Sequence, residues 1–301
     1  MIYPSGEIVN VTSFDKLPWL VYSRKGVCMA IITISRELAA LGDETARALA
    51  KQTGYRFVDK QALEERIKSF GIEDRKLRKY DERKPSLLAS LSHDRDDYLH
   101  YLKTAIFAEA EEGSCVFIGR GTGMVFRNMP GHIAVFLAAP FDIRIERVKS
   151  YFHCDESRAR QIIERSDRDR SGFHRYFFDI DWRDPGNYHL TLNTGIFPPA
   201  ACAETVKQLK DRVITPEAEE QNTACLKDLI LEQRIKHHIV HEREIPIHFL
   251  ETAVSGGVVT LYGVANSQAL VDAAMGAAKE AADSATVRNE IQIVREYSVM
   301  P

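Results

Sequence analysis

A chain of 301 residues exceeds the span of one typical hydrophobic core, so length alone predicts about two domains. With 45% hydrophobic and 28% charged residues the composition is that of an ordinary globular protein and argues against disorder or a membrane protein. A formal charge of −3 argues against a general nucleic-acid coat, so any anion site has to come from local arginine placement and no nucleic-acid partner is expected.

Residues 1–28 fit poorly with the pattern of the rest of the chain and read as an N-terminal extension; Met29 opens the first regular pattern and can itself serve as a start. From there strands and helices alternate. A β-rich run at 30–34 is followed by a helix at 43–52 with Ala46, Leu49 and Ala50 on one stripe. A strand at 55–58 and a helix at 60–70 precede a charged stretch, 73–84, that ends at Pro85. A helix over 98–112 is stopped by Gly113, and a buried strand at 115–118 leads into Gly119-Arg120-Gly121. Then come a strand at 132–137, helices at 141–151 and 157–165, a strand at 188–192 and a helix at 200–213. Such alternation implies crossover connections and a mainly parallel sheet, hence an α/β domain over 29–213.

The polar, acidic run 214–225 reads as a linker. Beyond it, 226–301 gives a helix (226–238), a strand (247–254), a turn at Ser255-Gly256-Gly257, a strand (258–262), a helix (267–282) and a strand (286–294). The glycine pair between two β-rich runs signals a hairpin, and the unit is a small α+β domain. Five scattered cysteines (Cys28, Cys115, Cys154, Cys202, Cys225) with no CxxC pair read as reduced thiols. No apolar run approaches the roughly 20 residues of a membrane span, and no secretory pattern opens the chain; a cytoplasmic protein is expected.

Three segments are candidates for binding phosphate. The first comes after the opening strand: Ser35, Arg36 and Glu37 lead through Ala39-Ala40-Leu41 to Gly42, Asp43 and Glu44 at a helix start. A strand–loop–helix junction presents backbone N–H groups to an anion, although the full GxxxxGK[ST] pattern is absent. The bland alternative is that Asp43 and Glu44 only favour the helix dipole. The second is Arg165, Arg168, Asp169 and Arg170 with Arg175, four arginines within eleven residues that can surround a transferring phosphoryl group or equally form a salt-bridged helix end. The third is Gly119-Arg120-Gly121-Thr122-Gly123 at a strand's carboxyl end, where α/β proteins bind ligands; its alternative is a glycine-rich turn with a surface arginine.

In order and spacing, ITISREL, GYRFVDKQAL, DERKPS, CVFIGRGTG, FLAAPFDIRIERV, ERSDRDR and DPGNYHLTLNT resemble the cytidylate kinase-like family over 29–213. The resemblance implies a P-loop kinase-type sheet and transfer of the ATP γ-phosphoryl to a nucleoside monophosphate, CMP or dCMP, with Mg²⁺. It implies that Ser35, Arg36, Glu37, Gly42 and Asp43 form the ATP phosphate loop. Asp59, Arg120 and Gly121 would then bind the monophosphate, with Arg165, Arg168, Asp169 and Arg170 as the catalytic lid. The chain departs from the family's GSGG-like stretch at Ala39-Ala40-Leu41-Gly42, carries Asp43 where a basic residue is usual, and has Gly172 where a further lid arginine occurs. Side chains at 39–41 crowd a phosphate, and Asp43 repels it. The departures favour a rival, a non-catalytic nucleotide sensor; the arginine-rich lid favours the enzyme.

The segment 227–295, with Gly256-Gly257-Val258-Val259-Thr260-Leu261-Tyr262-Gly263-Val264 and an alanine-rich helix, resembles the BON domain. That resemblance implies a regulatory or ligand-binding module contacting a lipid, a small ligand or a protein partner, or packing in a homo-oligomer. His237, His238, His241 and His248 lack a zinc-like ligand pattern, and no resident metal is expected.

Overall fold

The computed structural model describes residues 29–70, 94–282 and 284–294. The extension 1–28, the charged stretch 73–84, the DERKPS motif and Cys28 lie outside the described residues. The chain divides into two compact units at Ala224/Cys225.

The first unit is built on five parallel strands, β1 (Ile31–Arg36), β2 (Arg56–Val58), β3 (Cys115–Ile118), β4 (His132–Ala138) and β5 (Leu190–Asn193), in the order β2-β3-β1-β4-β5. β1, β3 and β4 are apolar runs buried on both faces, as parallel strands covered by helices must be. The helices are α1 (Gly42–Thr53), α2 (Lys60–Ser69), α3 (Asp94–Glu111), α4 (Thr122–Val125), α5 (Phe141–Phe152), α6 (Glu156–Phe178) and α7 (Pro199–Val213). Ala46 and Leu49 of α1 and Cys202 and Val206 of α7 close one face of the sheet. On the other, Phe126 meets Phe107 of α3 (centroids 6.0 Å apart) and Phe117 of β3 (5.4 Å). This is the P-loop kinase-type sheet expected from the resemblance.

Register fixes where the site lies. Ile34 pairs with Ile118 and Arg36 with Leu137, so the loops leaving β1, β3 and β4 emerge side by side at the carboxyl edge. Two bonds carry the ladder into those loops: Gly119 N donates to the Ile34 carbonyl and Glu37 N to that of Leu137, both at 3.0 Å.

Two elements differ from the sequence reading. α6 runs on to Phe178, so the arginine-rich ERSDRDR segment lies inside a helix rather than after one; Asp155 caps its start, accepting from Arg158 N at 2.7 Å. The segment 214–225, read as a linker, is helical from Pro216 onward in α8 (Pro216–His237). Glu217 and Glu219 in its first turn suit the positive end of the helix dipole, which is why the acidic run is a helix start. Asn222 is fully buried in the first unit, accepting from Gly131 N (2.9 Å) and donating to the Met29 carbonyl (3.0 Å).

The second unit holds a three-stranded sheet of β6 (His248–Ser255), β7 (Val258–Ala265) and β8 (Thr286–Ile293) in the order β6-β7-β8. β6 and β7 are antiparallel across the Gly256-Gly257 turn, whose φ values of 58° and 77° demand glycine; β8 joins β7 in parallel. Ile235 of α8 packs with Leu250, Val259 and Leu261 and with Val271, Ala274 and Ala278 of α9 (Gln268–Ala281). A π-helical turn, His238–Glu242, continues from α8 and buries Ile239 in the same cluster. Among the described residues no helix is long and apolar enough to cross a membrane.

Two buried polar residues make the packing testable. Asn222→Ala strands a buried amide and a buried carbonyl, and denaturant titration should show a loss of about 1–3 kcal/mol in the first unit. His132 is 4% exposed, with Nε2 2.8 Å from Thr33 Oγ1; burial, helped by His189, pushes its pKa down to about 3. The unfolded imidazole titrates near 6.5, so between about pH 6.5 and 3 the unfolded chain binds the extra proton and stability falls as pH falls. The urea midpoint should drop from pH 7 to pH 5, and His132→Gln should flatten that slope.

Candidate functional site

The loop after β1 holds left-handed backbone at residues other than glycine. Ala39 (φ 62°) and Leu41 (φ 51°) both lie in the left-handed region, costing a non-glycine residue roughly 1–2 kcal/mol each. Both fall within the stretch where the related family carries GSGG. Gly42 is required for another reason: a Cβ there would stand 2.5 Å from Arg36 Cγ. α1 begins at once, with Leu41 accepting from Thr45 N (3.1 Å) and Thr45 Oγ1 (2.8 Å).

The loop is held by α5 behind it. Arg144, 2% exposed, donates from Nε to the Leu38 carbonyl (2.8 Å) and from Nη2 to both oxygens of Asp167 on α6 (2.7 and 2.9 Å). Its Nη1 lies 3.2 Å from Glu37 Oε1. Glu37 also accepts from Ala139 N (3.2 Å), and Arg183 bridges Glu37 and Asp167 at 2.8 and 2.7 Å. Arg147 donates to the Ala39 carbonyl (2.9 Å) and to Thr194, at its Oγ1 (3.1 Å) and carbonyl (2.7 Å). Two carboxylates and three guanidinium groups thus fasten the loop to α5, α6 and the end of β5.

At the end of β3, Gly119 (φ 79°), Arg120 (φ 55°) and Gly121 (φ 66°) are all left-handed. An arginine in that conformation, 3% exposed, is backbone strain of the kind that collects at functional sites. Its guanidinium pairs with Glu64 of α2 and donates to Tyr98 Oη at 3.3 Å. Gly121 cannot carry a Cβ because the Phe178 ring occupies that space. Arg120, Arg36, Ser35 and Arg170 line one narrow hollow of about 10 Å³ together with Phe173, His174 and Trp182. Burial pushes the nearby Tyr188 phenol up to about 12, so it stays protonated and donates to the Trp182 carbonyl (2.6 Å).

Beside this hollow a cleft of about 990 Å³ opens between the loop, the start of α1 and α5. Arg36, Arg147 and Arg170 reach it, as do Asp43, Glu44, Asp142 and Glu146. Its volume is that of a small-molecule site, roughly 300–1,000 Å³. Guanidinium groups with the first-turn amides of α1 suit a polyanion, and the carboxylates are hard oxygen donors of the type Mg²⁺ takes.

Of the residues singled out from sequence, Ser35, Arg36, Arg120 and Arg170 meet at the hollow, Gly121 packs against Phe178, and Glu37, Gly42 and Asp43 line the cleft. Asp59 caps α2, accepting from Ala62 N at 3.0 Å, and lies 3.6 Å from Arg47. Arg165 and Arg168 stand on the solvent side of α6, their side chains 71% and 70% exposed, with Asp169 4.0 Å from Arg165. Arg144, Arg147 and Arg183 were not singled out. The first two carried a signal, three residues apart on a helix leaving a strand's carboxyl end; Arg183 carried none.

Fold and site together define a P-loop kinase-type α/β protein with a small α+β unit after it. The profile of the Cytidylate kinase-like family matches residues 31–196, and that of the BON domain matches 227–295. The first match covers more than half of the chain, which belongs to the Cytidylate kinase-like family. The chain is 34% identical over 85 residues to the cytidylate kinase of Sulfolobus acidocaldarius, an alignment spanning 28% of this chain and 46% of that relative. Among solved structures it is similar to an uncharacterized protein from Eubacterium ventriosum (20% identity, 61% of this chain and 99% of that one, TM-score 0.49). It is also similar to shikimate kinase from Bacteroides thetaiotaomicron (16% identity, 61% and 99%, TM-score 0.39).

Removing the central guanidinium should be costly. Arg144→Leu leaves Glu37 and Asp167, whose side chains are only 10% and 13% exposed, with Arg183 alone. Urea titration should show a loss of about 3–5 kcal/mol. Arg183→Leu, at a side chain 46% exposed, should cost under about 1 kcal/mol.

Proposed function

We propose that the first unit transfers the γ-phosphoryl group of ATP to a nucleoside monophosphate, CMP or dCMP. Support comes from one observation above all: Arg36, Arg120 and Arg170, from two strand ends and the lid helix, line a single hollow beside the loop-and-cleft site. In this scheme the loop 37–42 and the first turn of α1 receive the polyphosphate, and Arg120 grips the acceptor phosphate. Arg170 offsets the charge that spreads over the equatorial oxygens during transfer. Mg²⁺, held through Asp43 or Glu44, would screen the β and γ oxygens. An acceptor phosphate is already anionic near neutral pH, so in-line positioning replaces a general base. Arg165 and Arg168, on the solvent side of α6, lie outside this scheme.

A second reading, a nucleotide sensor that binds without transfer and signals through the BON unit, has its own observation. Glu64 already neutralises Arg120, and Asp43 and Glu44 open α1 where a polyphosphate would approach. In either scheme the BON unit is the regulatory or ligand-contacting module.

An ADP-release assay with Mg-ATP and a panel of monophosphates separates the two. Turnover with CMP or dCMP, lowered at least ~10²-fold in Arg170→Ala with the fold intact, is expected. Nucleotide binding with no ADP formed would favour the sensor, and unchanged turnover in Arg170→Ala would remove that arginine from the site.

A further inference from the structure

We infer that Arg147 is a positioning residue that holds the glycine-poor phosphate loop in its nucleotide-receiving shape, doing from behind what glycines do from within. This rests on the nucleotide-binding reading of the loop, and three features carry it. First, Ala39 and Leu41 keep left-handed backbone angles that their own side chains disfavour, so something outside the loop has to maintain them. Second, the force is visible: Leu38 and Ala39 both turn their carbonyls toward α5, where Arg144 and Arg147 donate to them at 2.8 and 2.9 Å. A carbonyl and the amide of the next residue share one peptide plane and point oppositely. Pinning these two carbonyls therefore fixes which way the amides of Ala39 and Ala40 face, and the Ala40 amide is taken by the Glu37 carbonyl at 3.3 Å.

Third, Arg147 is itself braced. Its fork spans the Ala39 carbonyl and two oxygens of Thr194, and Thr194 is tied to the Ala138 carbonyl through its own N (2.8 Å) and Oγ1 (3.3 Å). The loop after β1 is thereby referenced to the ends of β4 and β5. Arg144 shares the task, but its carboxylate partners make it a stability residue as well, whereas Arg147 meets no carboxylate in the bonds that hold the loop. A lysine cannot reproduce the pattern, because one ammonium does not present the planar fork that reaches the loop and Thr194 together.

The test uses the full chain with Arg147→Ala, Arg147→Lys and Arg147→Ala combined with Ala39→Gly and Leu41→Gly. Two readouts are taken: hydrogen exchange of amides 38–44 without nucleotide, and the KM for Mg-ATP against kcat. Arg147→Ala should speed loop exchange at least ~10-fold and raise KM at least ~10-fold with kcat within about 3-fold; Arg147→Lys should recover only part. The glycine pair, free to adopt positive φ, should restore at least half of the lost affinity (on the logarithmic scale) without restoring slow exchange. Unchanged exchange with nucleotide binding intact in Arg147→Ala would overturn the inference and spare the nucleotide reading. Faster exchange in a protein that binds no nucleotide in any variant would do the reverse. A loss of affinity that the glycine pair fails to relieve would assign Arg147 a direct ligand contact and also overturn it.

Discussion

One guanidinium organises the carboxyl edge of the sheet. Arg144 is almost fully buried, and a charge so placed is tolerable only if its surroundings supply compensating charge and acceptors. They do: Glu37 and the Leu38 carbonyl from the loop after β1 and Asp167 from α6 converge on it. Satisfying this one side chain therefore fixes the loop after β1 and α6 relative to α5. Arg183 shares both carboxylates from the solvent side and neutralises the second negative charge.

The same network accounts for the strain in the site. Left-handed backbone at Ala39, Leu41 and Arg120 persists only where the surroundings over-determine it. At 39 and 41 the surroundings are the arginines of α5. At 120 they are Glu64, Tyr98 and the flanking glycines, which let the chain turn sharply off β3 and aim the guanidinium back across the edge. The fold contributes the position, since parallel strands deliver three loop starts to one edge. The side chains contribute the chemistry, and their cost is offset by the buried sheet behind them.

Much of this was legible in the sequence, and the reason is local. The alternation of β-rich and stripe-patterned runs pointed to the parallel sheet, and Gly256-Gly257 to the hairpin, because periodicity and turn chemistry are short-range properties. What was not legible depends on distant partners. ERSDRDR looks like a polar surface run, and only the aromatic face formed by Phe173 and Phe177 shows why the helix continues to Phe178. The run 214–225 looks like a linker because its acids and amides are polar, yet Asn222 is buried against Gly131 and Met29, far away in sequence. Glu37 was read as a loop residue near phosphate; that it anchors two arginines depends on α5 and on Arg183, which no motif links to it. Arg165 and Arg168 stood out by arginine density and by the resemblance of ERSDRDR, and neither reveals which face of a helix meets solvent.

In the proposed function the loop after β1, the start of α1 and the arginines around them form one polyphosphate site. The most direct measurement is a titration of the isotope-labelled full chain with Mg-ATP, following backbone amide resonances together with arginine Nε resonances. Saturable shifts are expected, concentrated at amides 38–45 and at the side chains of Arg36 and Arg170. Saturable shifts centred elsewhere, with those amides and guanidinium groups unmoved, would contradict it, as would no shift at millimolar nucleotide.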